Sequence, residues 1–348
     1  MSSFWSKSCL VAGAAVLTFG LHTEPVVAAG EATVIKLATL APEGSAWYKI
    51  LEQMGENWRK ATGGAVTLRI YPGGVVGDEK AMIRTMRIGQ LQAATVTGLG
   101  LASLDKSCYA LFVPMMFADD DEFYHVRERL APMLEQQLAQ QGFVVLAWGD
   151  AGWISFFTKA PATRPADVMA TKLFVGTDES TVVQLYKETG FNPVQLSSMD
   201  ILPGLQTGLI NAFAATPLAA LAFQWFAAAP NMTELRFAQL TGATIIDKRT
   251  WEKIPTELRP KILAASRASE APVREEIRRL NAEAVSAMVK NGLKIASVPP
   301  EAQAEWVRLF EGLFPRIRGA IVPEQAFDAA RAARDDYRAA KSKGSGQR

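Results

Sequence analysis

At 348 residues the chain exceeds the length over which a single hydrophobic core keeps growing, so two lobes with separate cores are expected. Hydrophobic residues at 49% and charged residues at 21% exclude a wholly disordered chain. The 37 Lys and Arg nearly balance 35 Asp and Glu and are scattered along the sequence, which argues against nucleic acid as a partner.

The N-terminus carries Lys7, an apolar run from Cys9 to Leu21, a polar break at His22 and Thr23, and small residues at Val27, Ala28 and Ala29. This order reads as a secretory signal peptide, residues 1–29, cut near Ala29, and it predicts a periplasmic protein. The apolar run falls short of the roughly 20 residues that span a bilayer. Cys9 lies too early for a lipoprotein cysteine, so Cys108 is the one cysteine expected in the mature chain, as a small buried thiol.

ATVIKLATL, residues 32–40, predicts a buried strand, and Trp47, Ile50, Leu51, Met54 and Trp58 then fall at helical spacing up to a stop at Gly63 and Gly64. Val66, Leu68 and Ile70 alternate as a second strand. Strand, helix and strand in such a short stretch form a βαβ unit and predict an α/β lobe with a mainly parallel sheet. The loop YPGGVVGDE, residues 71–79, opens a helix through Met82, Met86 and Ile88, and ATVTGLG supplies another strand. GLGLAS, residues 98–103, is read as strand whose glycines admit close backbone approach; it lacks the third glycine and distant acid of a dinucleotide loop. The carboxylates from Asp119 to Glu122 precede a helix and are read as its cap, because the ligand spacing of a calcium loop is missing.

FVVLAWG, residues 143–149, predicts a strand, and the first crossing between lobes is placed at Asp150 to Gly152. KLFVG, a helix through Val182, Leu185 and Tyr186, and NPVQL repeat the alternation in a second lobe. From Ile254 to Lys343 the pattern becomes long, charged, alanine-rich helices, broken at Val298 to Pro300. The expected organisation is lobe I over residues 30–149 and 236–280, lobe II over 150–235 and 281–340, and a disordered tail at 341–348.

His125, alone outside the leader, sits in a helical pattern and is read as a packing or surface residue. No nucleophile elbow, phosphate loop, CxxC or paired-histidine motif is present, so no catalytic residue, metal or cofactor is assigned, and a two-carboxylate hydrolase has no positive support.

Taken together, ATVIKLATLAPEGSAWYK, TGGAVTLRIYPGGVVGDEKAMIRTMRIGQLQAA, FVPMMFADDDEF, KAPATRPADV with KLFV, and GLQTGLINAFAATPL resemble the DctP-type substrate-binding subunit of tripartite ATP-independent periplasmic (TRAP) transporters. The likeness spans roughly residues 32–340, as an ordered series of individually weak motifs. It implies a periplasmic binding protein-like α/β fold, with two lobes joined by crossing strands and a long helix. It further implies closure around a small molecule, and small and large membrane subunits as partners.

The family holds a carboxylate with an arginine on a second-lobe strand, in a basic, apolar, Arg, apolar pattern after a PxDL-like turn. Here the turn is Pro165, Ala166, Asp167, Val168 and the strand is Lys172, Leu173, Phe174, Val175, so Phe174 stands at the arginine position. A second family arginine follows an aromatic residue; here Trp153 is followed by Ile154. The family's acid and amide positions are also altered, since Asn211 is followed by Ala212, Phe213, Ala214, Ala215 and Thr216, and an aromatic after the NPV stretch is replaced by Ser198.

A guanidinium offers a carboxylate two parallel charge-assisted hydrogen bonds, which neither Phe nor Ile supplies. An unpaired buried carboxylate costs several kcal/mol, whereas covering about 100 Å² of apolar ligand contributes roughly 2.5 kcal/mol. The expectation is therefore a receptor for a neutral or largely apolar molecule, of aromatic, terpenoid or lipid-like kind. Trp153, Ile154, Phe174, Phe213 and Trp225 are the candidate walls, and Thr39, Tyr71, Glu79, Asp178, Ser198, Thr216 and Gln224 the polar contacts. Phe213 and Trp225 fit ordinary lobe II core equally well. Three alternatives stay open: an organic acid held by Lys172, Arg84 or Arg87, an extracytoplasmic sensor or lipid shuttle on the same fold, and a secreted enzyme.

Overall fold

A computed structural model describes residues 32–176 and 180–345. The signal-peptide reading and Asp178 fall outside the described residues. The expected βαβ opening is present as β1 (Thr33–Thr39), α1 (Ala46–Ala61) and β2 (Val66–Tyr71), with β1 and β2 parallel. Ser45 caps α1, its Oγ accepting from the Tyr48 N–H at 3.3 Å, and Leu51, Met54 and Trp58 bury the apolar stripe. Next come α2 (Glu79–Arg87), capped by Asp78, and β3 (Ala93–Thr97), parallel to β1.

GLGLAS departs from expectation. It forms α3 (Gly98–Leu104), a helix and not a strand. In a run this short, alternating Gly and Leu fits periods of 2 and 3.6 alike, and close packing decides. A Cβ on Gly98 would lie 1.6 Å from the Phe112 ring, and one on Gly100 would lie 2.8 Å from the Glu79 carboxylate, so both glycines are there to let α3 sit tightly.

The chain continues through α4 (Asp120–Gln140), β4 (Phe143–Thr158), α5 (Pro165–Met169), β5 (Lys172–Gly176), α6 (Ser180–Glu188), β6 (Asn192–Leu196), α7 (Ile201–Thr207), β7 (Ala212–Ala215) and α8 (Pro217–Ala222). It closes with β8 (Asn231–Glu234), β9 (Ala238–Asp247), α9 (Lys248–Lys253), α10 (Arg259–Arg267), α11 (Glu270–Lys290), β10 (Lys294–Ser297), α12 (Pro300–Ile317) and α13 (Glu324–Ser345). Asp119 caps α4 as expected, its carboxylate accepting from the Glu122 N–H at 2.9 Å. Among the described residues no group of side chains is arranged to hold a metal.

The strand order β2-β1-β3-β9-β4-β7-β5-β6 makes two half-sheets that share the long β4. β9 runs antiparallel to both β3 and β4, and β4 is irregular between Asp150 and Gly152, where the sequence places the crossing. The long α11 ties the halves together. Its first residue, Glu270, accepts from the Trp148 N–H at 2.9 Å; its Asn281 donates to the Ala151 carbonyl at 2.9 Å and accepts from the Leu218 N–H at 3.0 Å.

Two expectations about the C-terminus are corrected. The segment from Lys341 to Ser345, expected to be disordered, continues α13. That helix, expected with lobe II, packs along α4 of the first half, with ion pairs from Arg129 to Asp336 at 2.7 Å and from Lys341 to Asp119 at 3.1 Å. The Ala-rich face of α13 buries Ala326, Phe327, Ala330 and Ala333, and such small residues allow the close approach. His125 on α4 packs its ring 5.2 Å from that of Tyr337 in the same interface, and burial pushes the Cys108 thiol up to about 12.

The crossing is tight enough to test. A Cβ on Gly242 of β9 would lie 2.2 Å from the Val96 carbonyl oxygen, a backbone atom that cannot swing aside. Gly242→Ala should therefore lower the unfolding free energy by about 1–3 kcal/mol, read by chemical denaturation.

Candidate binding cleft

A cavity of about 830 Å³ opens over the point where β3, β9 and β4 meet β5 and the Ser197–Met199 turn. The first half contributes the C-terminal ends of β1 and β3, where ligands settle in open α/β sheets, and the start of α2.

Of the residues singled out from sequence, Thr39, Glu79, Ile154, Phe174, Ser198 and Trp225 line this cleft. Trp153 does not. Side chains alternate across a strand, so Trp153 and Ile154 face opposite sides of β4, and the Trp153 indole N–H donates to Asp120 at 3.0 Å on the far side. Phe213 is fully buried behind β7, stacked on Phe157 at 4.9 Å, while Ala214 and Ala215 reach the cleft. Thr216 is also buried, capping α8 through the Ala219 N–H at 3.3 Å. Tyr71 packs on the core with the Arg69 guanidinium 5.3 Å from its ring centre, and Gln224 turns the chain after α8 with φ of 57°.

Sequence reasoning missed much of the aromatic wall. Trp47, Tyr109, Phe112, Trp148 and Phe223 also line the cleft. Trp47 shares the helical spacing of the α1 stripe, and Tyr109 belongs to a short turn of 3₁₀ helix, Lys106–Leu111, that carries no periodic signal.

The charged side chains of the cleft are mostly carboxylates. Among the described residues no arginine lines the cleft; its bases are Lys80 and Lys106, against Asp78, Glu79, Asp150 and Glu270. Lys172 points away and donates to the Gly208 carbonyl at 3.2 Å, and Arg84 and Arg87 lie exposed outside the cleft. Glu79 accepts from the Thr97 N–H at 2.6 Å and from the Thr97 hydroxyl at 2.9 Å, joining α2 to the start of α3. Burial nevertheless pushes its carboxyl up from the usual range, outweighing those hydrogen bonds. Glu270 is raised for the same reason, opposed by the Trp148 N–H and by Arg127.

A carboxyl raised by folding binds protons more tightly in the folded state, so its ionisation costs stability as pH climbs past the ordinary value near 4.5. Glu79→Gln removes that ionisation. Relative to wild type, this variant should gain stability as pH rises from about 4.5 toward neutrality, read from paired thermal melts.

The family model described as bacterial extracellular solute-binding protein, family 7 (DctP), matches residues 37–317. The chain belongs to this family. Relatives of the chain include the uncharacterized protein YiiZ of Salmonella typhimurium, 26% identical over 68% of this chain and 73% of that protein. Another is the C4-dicarboxylate-binding periplasmic protein DctP of Rhodobacter capsulatus, 23% identical over 84% of this chain and 88% of that one. The fold is that of TRAP periplasmic solute-binding proteins. The one from Sulfurospirillum deleyianum, with bound succinate, superposes with a TM-score of 0.79 at 20% identity, covering 86% of this chain and 99% of that one. The one from Xanthobacter autotrophicus, with bound β-D-galacturonate, gives 0.80 at 19% identity over 86% and 99%. The two-lobed α/β fold and the DctP-type transport family expected from sequence are thus both found.

Proposed function

We propose that this protein is a non-enzymatic TRAP receptor that captures a neutral or largely apolar organic molecule in the cleft and passes it to small and large membrane subunits. One observation carries the ligand class: no arginine lines the cleft among the described residues, and half-buried Phe174 stands in its wall. Transferring a carboxylate from water to such a wall without a guanidinium costs several kcal/mol. Trp47, Phe112, Trp148, Phe223 and Trp225 instead offer rings that a flat or greasy ligand covers. The hydroxyl oxygens of Thr39, Thr97, Ser198 and Thr241 in the wall would orient it by hydrogen bonds. The signal peptide read at residues 1–29 accords with export to the periplasm.

A second reading, an organic acid, has support in the acids bound by the Sulfurospirillum and Xanthobacter proteins. In this chain it would have to use Lys80 or Lys106, since Lys172, Arg84 and Arg87 lie elsewhere. Thermal melting separates the two, because a ligand raises the transition in proportion to its excess over Kd. Neutral aromatic or terpenoid compounds should stabilise the protein, while succinate and galacturonate should not. Stabilisation by the acids alone would reverse the assignment.

A further inference from the structure

A second cavity, of about 890 Å³, lies on the far side of β4 and β9 from the cleft. Trp153 of β4 and Gln239 of β9 are paired across the strands, so both side chains emerge on this face. Gln239 is 1% exposed, and its amide oxygen has no hydrogen-bond partner among the described residues. A buried acceptor left without a donor costs about 1–3 kcal/mol, so it calls for a donor from within the cavity. Arg274 of α11 enters the same space with its guanidinium 3.5 Å from the Tyr124 ring centre and its terminal nitrogen 3.6 Å from Glu128, while its Nε is buried and without a partner among the described residues.

The charges around the cavity are unevenly engaged. Asp120 is held by the Trp153 indole N–H and by Arg278 at 3.4 Å, and Asp150 by Arg127 at 2.8 Å. The Arg236 guanidinium lies 5.7 Å from the Trp153 ring centre and near enough to Asp119 to help hold that carboxyl down, without a direct ion pair among the described residues. The cavity thus presents guanidinium donors, an orphaned amide acceptor and an indole face together.

We propose that this cavity is a second ligand site, for a small aromatic carboxylate that also carries a hydroxyl or amino donor. The carboxylate meets Arg236 and the Nε of Arg274, the donor meets the Gln239 oxygen, and the ring lies along Trp153. Walls from both halves, α4 on one side and β8 and α12 on the other, make its occupant sensitive to the angle between lobes.

The probe is 4-hydroxyphenylacetate, titrated calorimetrically into the full chain at up to millimolar concentration. Saturable binding is expected, weakened about tenfold in Gln239→Leu, the loss of one hydrogen bond of about 1.4 kcal/mol. Because Gln239 is buried, the exposed Arg236→Ala provides a second variant, with a similar loss expected. Binding that responds to Phe174→Arg but to neither of these places the probe in the cleft and overturns the proposal. Absence of any binding, which leaves the cavity to water, overturns it equally.

Discussion

Phe174→Arg should give the cleft an affinity for succinate at least about tenfold above wild type, and up to about a hundredfold. Phe174 sits on β5 between buried Leu173 and Val175, with its ring partly open to the cavity. A guanidinium replacing it would reach the same space and offer a carboxylate paired charge-assisted bonds of about 1.5–3 kcal/mol. The wild-type ring offers that carboxylate only desolvation. Isothermal titration of both proteins with succinate is the check. Tight binding by wild type, unchanged by the substitution, would show that the acid is held elsewhere and that β5 does not set ligand charge.

Arg127→Met should lower the unfolding free energy by about 3–5 kcal/mol, as read by chemical denaturation. Arg127 on α4 reaches Asp150 at 2.8 Å, where β4 becomes irregular at the crossing, and both side chains are only 3% exposed. Burial works to raise the Asp150 carboxyl while Arg127 and Arg274 oppose it, so removing Arg127 strands a carboxylate in a poorly solvated site. A double variant, Arg127→Met with Asp150→Leu, should recover much of the loss, because it removes both charges together. A single-variant loss below about 1 kcal/mol would mean that water or Arg274 already compensates Asp150.

The fold was legible because its signals are local and redundant. The stripe through Leu51, Met54 and Trp58, the Ser45 cap and the alternation of β2 agree with one another. The site was legible only where a strand's parity could be anchored. β5 has buried Leu173 and Val175, which puts Phe174 on the other face, in the cleft. In β4 the run WISFF carries large apolar residues on both faces, so its alternation does not say whether Trp153 or Ile154 turns inward; pairing with β9 decides. GLGLAS failed for a related reason, since what makes it helical is the fit of Gly98 against Phe112 and of Gly100 against Glu79, contacts that no local pattern encodes. Nor could the pairing of α13 with α4 be read, because an alanine-rich face fits many partners.

Mass spectrometry under native conditions, on protein purified without unfolding from cells that produce it, bears most directly on what the cleft holds. A retained molecule lacking any carboxylate, released by Phe174→Arg, is the expected result. A retained mono- or dicarboxylate, displaced by excess succinate, would contradict it.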